Sequence, residues 1–246
     1  MDIMIPNLPQ NKVTLFAVAE GFDTLSDALK AFGAEVITVK RDSTFESCES
    51  NHPDMHIHHL GGKKVLLYRE DEYLCKELVK RGFEVVFAAE KKQGKYPKSA
   101  ALNACRIGNI LLCNEKALEP NLRLYAEQNG VEIVPCRQGY ARCSTCVVSE
   151  NAVITSDASV AKALKGRVDL LEISKGQIKL GGSYDGFIGG CSSMIDKNAL
   201  AFFGDITRHS DYINIKSFLE NHSVLPVVLC GGELIDVGTF IPLKTK

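Results

Sequence analysis

The feature that most constrains the fold of this 246-residue chain is a unit that recurs about every 40 to 50 residues. Each copy opens on an extended run of small and polar residues. A Gly/Asn/Glu turn follows, then a short β-branched strand, an amphipathic helix usually stopped by glycine, and a second apolar strand. Lys63–Tyr68, a helix over Glu70–Arg81 ending at Gly82, and Phe83–Phe87 form one such set. Ile110–Cys113, a helix near Ala117–Asn129 with Gly130, and Val131–Val134 form the next. Ala152–Thr155, a helix near Ala158–Leu164 N-capped by Asp157, and Val168–Ile173 form the third. Leu200–Phe203, a helix near Asp211–Asn221, and Val224–Leu229 form the fourth.

The leading runs begin near His52, Ser99, Gly139, Phe187 and Glu233, and the last unit stops after Glu233–Leu243 without helix or closing strand. The N-terminus holds the missing parts: a strand at Val13–Ala19, a helix at Thr24–Phe32 with Thr24 and Asp27 at capping-box spacing and Gly33 as its stop, and a strand at Glu35–Val39. The pattern predicts one domain over residues 1–246, an α/β propeller of five ββαβ units closed by the two chain ends together. An open doubly wound sheet also alternates strands with helices, but it leaves the paired strands before each helix unexplained. Gly181-Gly182 and Gly189-Gly190 lack the strand–loop–helix setting of a phosphate loop.

Composition narrows the function classes. A net charge of −1 with no clustered basic face argues against nucleic acid and anionic membranes as partners. No run reaches the length of a membrane span, and the N-terminus has no secretion signal, so the expectation is a cytoplasmic protein whose nine cysteines are free thiols.

Aligning the units on one another sets Tyr140–Thr145 against Ile188–Ser193 and Asp157 against Asp205. The same register brings Asp54–His58 and Ile235–Thr239 into line, and Ala101–Cys105 with a shortened turn. His56, Cys143, Cys191 and Val237 become equivalent, preceded by Met55, Arg142, Gly190 and Asp236. Equivalent positions of a ring converge on its axis, so these polar residues mark either a site or a satisfied polar plug.

Five units completed by the two ends resemble the pentein superfamily of guanidino-group-modifying enzymes. In that family a Cys attacks the guanidinium carbon, a His moves protons and acids grip the cation, and the resemblance implies the same plan here. Asp54 falls on the family's first substrate-binding Asp. The family's His-x-Asp of the third unit corresponds to Tyr140 and Arg142, and its nucleophile to Gly238 or Val237. The resemblance therefore implies something other than ordinary arginine deiminase chemistry.

Among the remaining candidates, Cys191 in Gly-Gly-Cys-Ser-Ser is the predicted nucleophile, since small neighbours allow close approach of a ligand, with His56 facing it across the ring as proton carrier. Asp54, Tyr140, Arg142, Cys143 and Asp236 are the predicted substrate-binding residues. The expected ligand is a small polar molecule, hydrolysed or transferred at an amidine- or amide-like carbon, with no metal or other cofactor. A non-catalytic binding module is the alternative. A metal-dependent enzyme is another: His52, Asp54, His56 and His58 would share one face if extended, and would need a further ligand such as Cys143 or Cys191. Cys143-Ser144-Thr145-Cys146 reads as a strand, whose third neighbours face apart, and so not as a redox pair.

Overall fold

The computed structural model describes residues 1–181 and 184–246; Gly182, half of the Gly181-Gly182 pair set aside above, lies outside them. Five three-stranded sheets follow the sequence units. In each, the first strand is antiparallel to the middle one and the third is parallel to it. Ile57–Gly61, Lys64–Leu67 and Glu84–Phe87 make one sheet, with the helix Glu72–Lys80 connecting the last two strands. Cys105–Ile107, Ile110–Cys113 and Glu132–Pro135 make the next around the helix Pro120–Gln128. Thr145–Ser149, Ala152–Thr155 and Asp169–Glu172 enclose the helix Ala158–Leu164. Ser192–Asp196, Ala199–Phe203 and Leu225–Cys230 enclose Tyr212–Asn221.

The fifth sheet is assembled from both ends of the chain. Ile241–Thr245 lies antiparallel to Val13–Ala19, which runs parallel to Glu35–Val39 across the helix Asp23–Ala31. The expectation that the termini share a unit therefore holds. A short parallel pair, Ile178–Lys179 with Leu234–Ile235, was not foreseen.

The helices form where the apolar period is helical, and four bury an i, i+4 pair against their sheet: Leu25 and Leu29, Leu74 and Leu78, Leu122 and Ala126, Ile215 and Leu219. A fully buried leucine contributes roughly 1.5–3 kcal/mol, so these stripes hold the helices down. Gly82 ends its helix at φ 83°, in the left-handed region, whereas Ser223 does the same work at φ 57° in the fourth unit. Asp157 caps as expected, accepting from the amides of Ser159 and Val160. The capping box at Thr24 and Asp27 does not form: Phe22 is the N-cap, without a side-chain bond, and Asp27 pairs with Lys30.

The leading run of a unit is not strand from its start. Residues 53–56 and 141–144 are tight turns, and the strands begin only at Ile57 and Thr145. These turns touch in cyclic order. Arg142 N donates to Asn103 O at 2.9 Å, Gly190 N to Cys143 O at 2.8 Å, Val237 N to Gly190 O at 3.1 Å and Asp54 N to Gly238 O at 3.4 Å. His58 Nδ1 against Leu102 O at 3.1 Å joins the first unit to the second. The predicted register is visible in a repeated bond: Ser144 Oγ donates to Tyr140 O at 2.8 Å, and Ser192 Oγ to Ile188 O at 2.7 Å. No helix among the described residues is long and apolar enough to cross a membrane. The nine cysteines are free thiols.

Candidate functional site

Pro53 opens the first turn, where its fixed φ is pre-set for helix and its missing N–H costs nothing. The turn aims His52 and Asp54 at the centre. Opposite, the turn ending at Ser144 aims Cys143 back. Cys143 Sγ donates to Asp54 Oδ2 at 2.8 Å. Asn103 Nδ2 donates to Cys143 Sγ at 3.4 Å, and Asn103 Oδ1 accepts from the amides of Arg142 and Cys143 at 2.9 and 3.2 Å. Asp236 accepts from Phe187 N and Gly238 N, both at 2.9 Å. His52 Nδ1 stands 3.9 Å from Asp236 Oδ1, beyond hydrogen-bond reach. Arg142 is buried beneath the cluster. Its Nε donates to Asn7 Oδ1 at 3.2 Å, Nη1 to the carbonyls of Thr145 and Gly189 at 3.2 and 3.4 Å, and Nη2 to Thr239 Oγ1 at 2.9 Å.

Burial sets the protonation of this centre. It pushes the Asp54 carboxyl up to about 8, against the opposing pull of the Cys143 hydrogen bond, and the Asp236 carboxyl up to about 7. It raises the Cys143 thiol well above its ordinary range, helped by the Asp54 and Asp236 charges. It holds His52 down at about 3, and the nearby His56 and Arg41 add to this. At neutral pH the imidazole is neutral and the thiol protonated.

A pH dependence follows. Asp54 and Asp236 bind protons more tightly folded than unfolded, where aspartate titrates near 3.9. Their contribution to stability is complete below about pH 4 and is lost as pH rises toward 7 and 8. Urea denaturation should show unfolding free energy falling by up to about 1.4 kcal/mol per pH unit for each carboxyl across that window, and Asp54→Asn should flatten the curve. A profile unchanged in Asp54→Asn would contradict the assignment.

The structure brings Asp54, Arg142, Cys143 and Asp236 together and separates the two predicted catalytic residues. His56 turns outward: Nδ1 lies 3.0 Å from Asp71 Oδ1, Nε2 2.9 Å from Ser50 O, and Phe45 packs on the ring edge. Lys92, buried between Asp71 and Asp42 at 2.6 and 2.7 Å, completes that network. Cys191 turns into the apolar cluster of Cys146, Met194 and Phe202, with its thiol on Ile188 O at 3.3 Å. The pairing of His56 with Cys191 is therefore corrected. Residues 53–56 are helical, so the four do not share one face: His52 and Asp54 stay together at the centre, while His56 bonds to Asp71 and Ser50 and His58 to Leu102.

Two further placements refine the prediction. Tyr140 lies at the margin against Tyr96, ring centroids 5.6 Å apart, with Glu49 close enough to help burial raise its phenol. The glycines before Cys191 admit protein and not ligand: a Cβ at Gly190 would collide with the Asp236 carboxylate. At Gly238, the place the resemblance gives to a nucleophile, φ is 67° and a Cβ would collide with His52. His52 fills that space. Asn103, Asn7 and Thr239 carry no sequence signal beyond the unit register, and were not anticipated.

Among the described residues, a cleft and a small cavity border the centre. A cleft of about 600 Å³ lined by Arg41, Glu46, Cys48, Lys179 and Glu233 leads to Asp236. A cavity of about 20 Å³ beside Asp54, bounded by Asn7, His58 and Arg142, has room for one water.

Comparison with known proteins agrees with this architecture. A family model described as "Family of unknown function (DUF6873)" matches residues 18–241. No curated protein matches. Among solved structures, the inosamine-phosphate amidinotransferase StrB1 from Streptomyces griseus is 13% identical with a TM-score of 0.60, covering 100% of this chain and 98% of its own. The C. jejuni agmatine deiminase is 10% identical with a TM-score of 0.58, covering 99% and 97%. The DDAH from Pseudomonas aeruginosa, in a mutant complexed with citrulline, is 10% identical with a TM-score of 0.55, covering 89% and 93%. These likenesses show the pentein-type fold.

Proposed function

The chain belongs to the DUF6873 family, and we propose that it is an enzyme binding a small cationic molecule at Asp54 and Asp236 and attacking its amidine-like carbon with Cys143. The observation that carries this reading is the 2.8 Å bond from the Cys143 thiol to Asp54 within a centre that also holds His52. The fold's guanidino-modifying neighbours support the reaction class.

A planar cation suits two carboxylates otherwise stranded in a low-dielectric centre, because its charge compensates their burial. The bound cation displaces the Asp54 proton, and Cys143 Sγ bonds to the carbon while its own proton passes to the Asp54 carboxylate. The carbon–nitrogen bond breaks and the amine leaves with that proton, relayed from Asp54 through His52. Water or an acceptor amine then cleaves the carbon–sulfur bond and restores the thiol. An amidine is larger than the one-water cavity beside Asp54, so binding on this reading shifts the surrounding turns. That same filling favours a second reading, a non-catalytic binding module.

One experiment separates them. Wild type and Cys143→Ser are incubated with guanidines, amidines and a haloacetamidine, following amine release and protein mass. The expected result is turnover reduced at least about 10³-fold in Cys143→Ser and covalent labelling at Cys143. Saturable binding with neither turnover nor labelling would establish the binding module. Undiminished turnover in Cys143→Ser would eliminate Cys143 as nucleophile.

A further inference from the structure

We propose that His52, Asp54 and Cys143 form a binding site for a thiophilic divalent cation, with zinc the best match. This goes beyond the reaction proposed above. It uses the same residues, but it stands without any turnover.

One imidazole nitrogen, one carboxylate oxygen and one thiol sulfur lie within 4.8 Å of one another, and all three side chains are buried. A tetrahedral ion with ligand distances of about 2.0–2.3 Å requires donors roughly 3.5 Å apart, so the cluster needs to close by about 1 Å at its widest. Cysteine and histidine together select borderline and soft ions over magnesium or calcium, which take oxygen ligands. Two of the donors stand two residues apart at His52 and Asp54, and the third, Cys143, is one of the further ligands that the metal-dependent alternative called for.

A second observation points the same way. Asp54 Oδ1 is buried with no hydrogen-bond partner, while Oδ2 accepts from Cys143. Orphaned buried carboxylate oxygens are rare, because losing water without a replacement is unfavourable. An ion at the cluster would satisfy Oδ1. His52 Nδ1 stands 3.9 Å from Asp236, so no hydrogen bond there ties up the nitrogen. The Cys143 thiolate and the Asp54 carboxylate together neutralise a dication. On binding, the sulfur–metal bond replaces the Cys143–Asp54 hydrogen bond, and the thiol proton leaves to the buffer. Cys143 is then a ligand and is closed to electrophiles.

The test uses the purified full chain stripped with a chelator. Zinc is titrated against a chromophoric competitor, and cobalt(II) is added separately to look for sulfur-to-metal charge transfer in the near ultraviolet. The expected result is one zinc per chain, a charge-transfer band, and affinity reduced about 100-fold in Cys143→Ser and in Asp54→Asn, with Cys48→Ser unchanged. Because a variant of the centre can fail to fold, a measurement on wild type stands beside these: zinc should slow alkylation of Cys143 at least about tenfold by peptide mass spectrometry. No stoichiometric zinc, or binding indifferent to both Cys143→Ser and Asp54→Asn with Cys143 unprotected, overturns the proposal. Amidine turnover in stripped protein that binds no zinc removes the metal site alone. Zinc binding in protein without turnover removes the reaction alone.

Discussion

Arg142→Ala should lower the unfolding free energy by about 3–5 kcal/mol, enough to leave little folded protein at 37 °C. The guanidinium reaches acceptors on four separate segments: Asn7 Oδ1, the carbonyls of Thr145 and Gly189, and Thr239 Oγ1. Thr239 Oγ1 in turn donates to Ser192 O at 2.9 Å, so truncation frees one side of a longer network. Each buried acceptor left unpaired costs about 1–3 kcal/mol, less what water recovers. The truncation also removes the positive charge that opposes the rise of the Asp54 and Asp236 carboxyls. Arg142→Lys keeps the charge and loses the planar fork, so it should fall between Ala and wild type. Urea denaturation at pH 7 provides the check; an Ala variant within about 1 kcal/mol of wild type would show that Arg142 is not the tie described.

Gly189→Ala should be nearly as damaging, at about 3 kcal/mol or more, through sterics and not charge. A Cβ there would stand closer than 3.0 Å to the carbonyl oxygens of Arg142, Cys143 and Thr145. All three are backbone atoms of one tight turn, so no rotamer change relieves the overlap. The turn would have to withdraw, and with it the thiol of Cys143. Gly231→Ala is the matched control, since a Cβ at that position meets nothing within 4 Å. Restricting the unfolded chain there should be neutral or stabilising by up to about 1 kcal/mol. Equal losses in the two variants would mean that the close approach at Gly189 is not what the substitution reports.

The same glycine shows where sequence reading succeeded and where it stopped. Strand and helix positions follow from apolar periods of 2 and 3.6, which is why Val13–Ala19, Glu35–Val39 and Ala152–Thr155 were legible to the residue. Self-alignment of the units found Asp54, Arg142, Cys143 and Asp236, because a repeat carries register even where it carries no motif. Register does not carry direction. His56, Cys143 and Cys191 are equivalent in the alignment, yet one faces a salt-bridge network, one the centre and one an apolar cluster. The helical turn at 53–56 reorients its side chains by roughly 100° per residue, and nothing in a Pro-Asp-Met-His run says that the strand starts four residues late. The small residues beside Cys191 could not be read correctly either. Glycine reports that something approaches closely, and here it is the chain's own carbonyls and the Asp236 carboxylate. Asn7 and Asn103 were invisible because a lone amide on a loop has no periodicity to betray it.

The pairing of Ile241–Thr245 with Val13–Ala19 orders events during synthesis. A ribosome releases residues 13–39 first, and that β-α-β segment then waits, one flank bare, until residues 241–245 have left the exit tunnel. The unmatched flank offers its amides and carbonyls to any passing strand in the meantime, which makes it the edge most open to mispairing during synthesis. Joining the old ends with a short linker and starting translation at a loop between two other sheets would abolish the wait.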